Sequence, residues 1–115
     1  MVVLFLAILG SQLGCELPPS CRNSCERLYG SGEDQCDINV PDYEGEQGAN
    51  RLIIECEAVC DDAMSNAGTV GSYDPNSNED DDVSIANEKQ AAMWMDCVQD
   101  TSCENLNKGY CQPHY

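Results

Sequence analysis

Nine of the 115 residues are cysteine, and their spacing limits what the chain can fold into more than any other feature. They stand at Cys15, Cys21, Cys25, Cys36, Cys56, Cys60, Cys97, Cys103 and Cys111. Cys21/Cys25 and Cys56/Cys60 are each spaced by one helical turn, so each pair shares one face of a helix. Two such helices packed antiparallel can be joined twice, early to late, which predicts Cys21–Cys60 and Cys25–Cys56. A third helix running back along the second would bring Cys97 near the loop before that second helix, where Cys36 lies. Cys36–Cys97 and Cys103–Cys111 complete this pairing, one of many that eight cysteines allow. No Cys-x2-Cys occurs, which disfavours structural zinc and a thioredoxin-like redox centre. With one Trp, one Phe and five Tyr, the chain has little for a large aromatic core. Covalent staples are expected to replace part of that core.

The intervening segments read as helix and loop. Pro18-Pro19 holds the approach extended, and Ser20 is a suitable N-cap. Cys21, Cys25, Leu28 and Tyr29 share a face, and Gly30 is a natural stop, so a first helix is predicted over about 20–29. Residues 31–48 read as a loop whose acids (Glu33, Asp34, Asp37, Asp42, Glu44, Glu46) form a solvated surface. A second helix is expected over about 49–65, with Leu52, Ile53, Cys56, Val59, Cys60, Ala63 and Met64 as its apolar stripe. The segment from about 66 to 82 is polar and low in complexity, and is expected to be a mobile acidic loop. A third helix over about 84–99 would be capped by Ser84 and turn Ala86, Met93, Trp94 and Cys97 inward. Thr101-Ser102-Cys103-Glu104 matches a capping box opening a short last turn that Gly109 closes. No strand pattern appears. The predicted fold is all-α: a small disulfide-stapled helical hairpin plus a third helix, with long acidic loops.

Charge narrows the function classes. There are 21 Asp and Glu against 5 Lys and Arg, for a net charge of −16. Nucleic acid is an unsuitable partner, because phosphate contacts need Lys and Arg. The one histidine, His114, sits in the C-terminal tail, a poor place for a general base that must be held within hydrogen-bond reach of a nucleophile. No catalytic residue is assigned, and the chain is read as a non-enzyme. Asp74, Asn76, Asn78, Asp80 and Asp82 alternate oxygen donors as an EF-hand loop does, but Glu79 replaces the turn glycine and Ile85 the bidentate Glu. A calcium- or cation-responsive module through residues 74–82 is the alternative function, and calcium the one cofactor considered. Trp94, between Met93 and Met95, is expected in the core rather than in a partner-binding patch.

Val2 to Leu9 is an unbroken apolar run, too short to span a bilayer and of a length suited to a signal peptide. It leads to Gln12-Leu13-Gly14-Cys15. This arrangement resembles a bacterial lipoprotein signal, in which the cysteine after the lipobox is lipidated and the preceding peptide removed. Gly14 and Cys15 match that pattern, Gln12 stands where the family usually has Leu, and no Lys or Arg precedes Arg22. With Cys15 lipidated, eight cysteines remain for four disulfides. The expected organisation is a signal peptide over 1–14, a lipidated Cys15 and tether over 15–19, and a disulfide-rich helical domain over 20–115.

The twin Cys-x3-Cys hairpin resembles that of small mitochondrial intermembrane-space chaperones, over four cysteines and two helices. The whole layout is closer to small cysteine-rich lipoproteins of Gram-negative bacteria, of the deltaproteobacterial type. That resemblance implies a location more than an activity: the cell envelope, anchored in the outer membrane or on a periplasmic membrane face. The partner it implies is a lipid bilayer, reached through acylated Cys15, and Glu16 after the lipidated position permits outer-membrane sorting. A soluble secreted inhibitor or effector is the further alternative.

Overall fold

A computed structural model of the chain describes residues 19–76 and 84–112. The predicted signal peptide, Cys15 and most of the tether lie outside them, as do Asn78, Asp80, Asp82 and His114. The described residues form four helices and no strand: α1 (Cys21–Tyr29), α2 (Gly45–Met64), α3 (Glu88–Asp100) and α4 (Cys103–Asn107). The all-α, disulfide-stapled expectation holds.

Local chemistry sets the helix ends. Ser20 Oγ accepts the Asn23 N–H at 3.0 Å and opens α1. The final carbonyls of α1, which no helical partner can satisfy, are taken by the chain that follows. Gly30 N donates to Glu26 O, Cys36 N to Arg27 O and Ile38 N to Leu28 O, at 2.7, 2.7 and 3.0 Å. α2 starts one turn earlier than its apolar stripe implies, because its first turn packs against the Tyr43 backbone rather than into the core. α3 starts one turn later than predicted. Asn87, not Ser84, is its cap, accepting from Lys89 N and Gln90 N at 3.0 and 3.1 Å. The Thr-x-x-Glu reading also shifts: Thr101 ends α3, and Ser102 caps α4 by accepting from Asn105 N at 3.2 Å.

α1, α2 and α3 all pack on one another. Leu28, Tyr29, Leu52, Trp94, Val98 and Leu106 are buried among Cys25, Cys56, Cys60 and Cys111. Trp94 is fully buried, as expected, and its Nε1–H donates to Cys111 O at 3.0 Å. Val59 and Met64 stand at the edges of the α2 stripe and are exposed, and so are Met93 and Ala86.

Cys21–Cys60 and Cys25–Cys56 join α1 to α2, with Cα separations of 5.6 and 6.0 Å, in the order that antiparallel packing requires. The other two pairs differ from expectation: Cys36 bonds Cys103, and Cys97 bonds Cys111. The reason is which way Cys97 faces. The end of α3 does reach the Cys36 neighbourhood, because Arg27 Nε and Nη2 donate to Val98 O and Thr101 O at 2.8 and 2.7 Å. Arg27 O meanwhile accepts from Cys36 N. Cys97, however, is buried and its sulfur lies 3.7 Å from Pro75 O, the same carbonyl that accepts from Cys111 N at 2.6 Å. Cys103, just beyond α3, is the cysteine delivered to Cys36.

Residues 66–76 form a loop fastened onto α3 and the C-terminal segment. Asn87 Nδ2 donates to Thr69 O at 3.0 Å, Gln90 Nε2 to Val70 O at 3.2 Å, and Tyr73 Oη to Gln112 O. Pro75 is buried.

Two predictions follow from this frame. Each staple closing a long loop contributes about 2–4 kcal/mol, while the excess negative charge opposes compaction. Full reduction is therefore expected to abolish the helical circular dichroism and the protease resistance, most completely at low ionic strength. Ser24 Oγ is buried with no hydrogen-bond partner among the described residues. Removing an unsatisfied buried hydroxyl from a helix relieves desolvation, so Ser24→Ala is expected to hold or raise stability, by up to about 1 kcal/mol in chemical denaturation.

Candidate binding cleft

The sequence-predicted donors at Asp74 and Asn76 are engaged locally. Asp74 Oδ1 accepts from Asn76 N at 3.1 Å, a turn closed on itself, and Asn76 Oδ1 lies 3.5 Å from the Cys97 sulfur. The remaining proposed donors fall outside the described residues, within which no group of three or more His, Cys, Asp or Glu side chains is arranged to hold a metal ion.

The structure instead brings together residues that sequence reasoning assigned to a solvated loop. Residues 36–38 fold back over the end of α1, and Asp37 N donates to Gly30 O at 2.9 Å. Asp37 has φ 49°, a left-handed conformation that Asp tolerates better than most residues. The chain then turns at Asp42 (φ 75°) and enters α2 through Gly45 (φ 77°). Gly48 is buried against this approach: a Cβ there would overlap the Tyr43 backbone carbonyl.

Between the end of α1, residues 37–39 and the first half of α2 lies a cleft of about 570 Å³, a volume within the small-ligand range. Tyr29, Leu52 and Ile53 are its buried floor. Asp37, Glu46, Asn39 and Asn50 supply polar groups at its rim, and no Lys or Arg lines it. The nearest arginine on α2 is held elsewhere. Arg51 stacks over the Tyr43 ring at 4.5 Å, donates from Nη2 to Asp42 O at 2.9 Å and pairs loosely with Glu55 at 3.9 Å. Tyr43 Oη donates to Glu55 Oε1 at 2.6 Å, and this bond, helped by desolvation, raises the phenol above its ordinary pKa. The sequence clue to the cleft was the set Ile38, Val40 and Tyr43 among the acids of residues 31–48. All three pack against the core.

No helix among the described residues is long and apolar enough to cross a membrane. Four disulfides in a domain this small point to an oxidising compartment, extracellular or in a cell envelope.

Gly48 offers a test of how the Tyr43 approach packs on α2. Gly→Ala inside a helix ordinarily gains about 1 kcal/mol in propensity. Here the added methyl meets rigid backbone, so Gly48→Ala is expected to destabilise by about 1–3 kcal/mol, the usual range for overpacking. Denaturant titration of the variant against the parent reads the sign directly.

Comparison of the chain with protein-family models, with curated proteins and with solved structures found no match.

Proposed function

We propose that this is an exported binding protein, held at a membrane by lipid on Cys15, that acts by interaction rather than catalysis. The observation that carries the reading is the complete pairing of the eight cysteines from Cys21 to Cys111. Nine cysteines less eight leaves Cys15 over. Cys15 is also the residue that follows the apolar run and the Gly14 junction. An odd cysteine in an exported protein calls for an explanation, and lipidation supplies one that accounts for the flanking residues too. A single acyl chain binds membranes only weakly, whereas the several chains of a lipoprotein cysteine anchor stably. Binding is the favoured mode of action because the cleft joins an apolar floor to a rim of acceptors, which is equipment for recognition. The outer membrane is the proposed destination, with Glu16 after the lipidated residue.

The test is the intact mass of the natively expressed protein, alkylated before and after reduction. The expected result is a chain beginning at Cys15 with a lipid increment, no alkylation before reduction and eight alkylated thiols after it. A lipid-free mass with a ninth thiol would remove the anchor and leave a secreted protein. Thiols reactive before reduction within residues 21–111 would overturn the stapled reading.

A further inference from the structure

We propose that the Cys36–Cys103 disulfide is an exchange site for a protein dithiol, opened and re-formed within a domain that the other three bridges keep folded. The inference takes from the proposed function only an oxidising compartment, and needs neither the lipid on Cys15 nor the cleft.

Access separates this bridge from the others. A disulfide is opened by a thiolate that reaches one of its sulfurs, so a buried pair is closed to a reductant of protein size. Cys25, Cys56, Cys60 and Cys111 are 0 % exposed, and Cys21 and Cys97 are 7 % exposed. Cys97–Cys111 is covered further: Thr101 Oγ1 lies 3.2 Å from the Cys111 sulfur, Pro75 O lies 3.7 Å from the Cys97 sulfur, and Trp94 Nε1 donates to Cys111 O. Cys36 and Cys103 alone among the paired cysteines are not buried. Cys36 packs against the core. Cys103 opens α4 between exposed Ser102 and Glu104, which makes its sulfur the one a partner reaches first.

The same junction carries a second, non-covalent tie. The Arg27 guanidinium donates to Asp34 O, just before Cys36, and to Thr101 O, just before Cys103, at 2.8 and 2.7 Å. Arg27 O accepts from Cys36 N at 2.7 Å, and Leu106 is fully buried within α4. None of these contacts passes through sulfur, so both thiols stay where the bond can re-form. The exchange balances with the dithiol alone. One thiolate of the partner attacks Cys103 Sγ, the bond to Cys36 breaks, and Cys36 leaves as a thiolate that takes a proton from water. The partner's second thiol loses its proton, attacks the partner sulfur of the mixed disulfide and releases Cys103 as a thiolate, which is protonated in turn. Two electrons pass to the bridge and the dithiol becomes a disulfide. A partner that arrives oxidised runs the same steps in reverse.

The test treats the oxidised full chain with a molar excess of reduced thioredoxin, followed by alkylation and peptide mapping. Thiols at Cys36 and Cys103 are expected to appear at least about tenfold faster than at the other paired cysteines, because access governs the attack. Thioredoxin with its resolving cysteine replaced by serine should be trapped as a mixed disulfide on this bridge; Cys103 is the expected attachment point, and attachment at Cys36 supports the proposal equally. The two-thiol form is expected to keep the helical circular dichroism of the oxidised chain and to close again in oxidised glutathione. Cys36→Ser combined with Cys103→Ser should fold with three disulfides and trap no thioredoxin. First thiols at any other cysteine, or all eight appearing together, would overturn the proposal. So would resistance to thioredoxin where dithiothreitol succeeds, loss of the helical signal once two thiols have formed, or failure of the double-serine variant to fold. A lipid-free intact mass would leave the exchange site standing, and a bridge that resists thioredoxin would leave the anchor standing.

Discussion

Two disulfides one helical turn apart, Cys21–Cys60 and Cys25–Cys56, are the constraint on which the rest of the structure depends. One bond between two helices leaves them free to pivot. Two bonds a turn apart set direction, register and rotation together. With α1 and α2 so clamped, Leu28 and Tyr29 meet Leu52 and Ile53 without a large core having to select that packing. α1 ends at Tyr29, one turn past Cys25. The segment after Tyr29 must then satisfy the exposed carbonyls of that helix, and in doing so it lays Asp37 and Ile38 alongside α2. The cleft is thus a by-product of how α1 is terminated.

The three arginines tie elements of the fold together. Arg27 donates to the carbonyls of Asp34, Val98 and Thr101, closing the C-terminal end of α3 and tying it to α1. Cationic donors are favourable at that end of a helix dipole. Arg22 bridges Glu26 on its own helix and Glu57 on α2, and Arg51 braces the turn at Asp42. Exposed pairs of this kind contribute little to stability. Among the described residues the acids that outnumber them therefore face solvent largely uncompensated, and covalent bonds carry cohesion that opposite charges supply in other small domains.

Much of the fold was legible because helical spacing is a local property. Cys21/Cys25 and Cys56/Cys60 declare their faces within one turn, and Ser20 and Gly30 bracket α1, Ser20 through its side chain and Gly30 in extended backbone at φ −75°. What was not legible depends on paths between helices. Nothing near Cys97 announces that it faces Pro75 and Cys111 rather than Cys36, since that follows from how residues 66–76 cross α3. Asn87 prevails over Ser84 as a cap because Asn66 and Gln90 hold the residue before it: Asn66 Nδ2 donates to Ala86 O and Ala86 N to Gln90 Oε1. The cleft was hidden for a related reason. Acids in a Gly- and Pro-containing stretch read as solvated surface, and only tertiary folding shows that Asp37 and Glu46 share a hollow.

The disulfide connectivity also divides the molecule in a way its packing does not. Two bonds close within residues 21–60 and one within 97–111, and only Cys36–Cys103 runs from one portion to the other. A backbone cut anywhere from residue 61 to residue 96 would leave a two-chain molecule joined by a single sulfur bridge. In an oxidising, protease-rich setting such a nicked protein would travel as one species. The same cut followed by reduction would release two fragments, so Cys36–Cys103 alone decides whether cleavage is a scar or a severance.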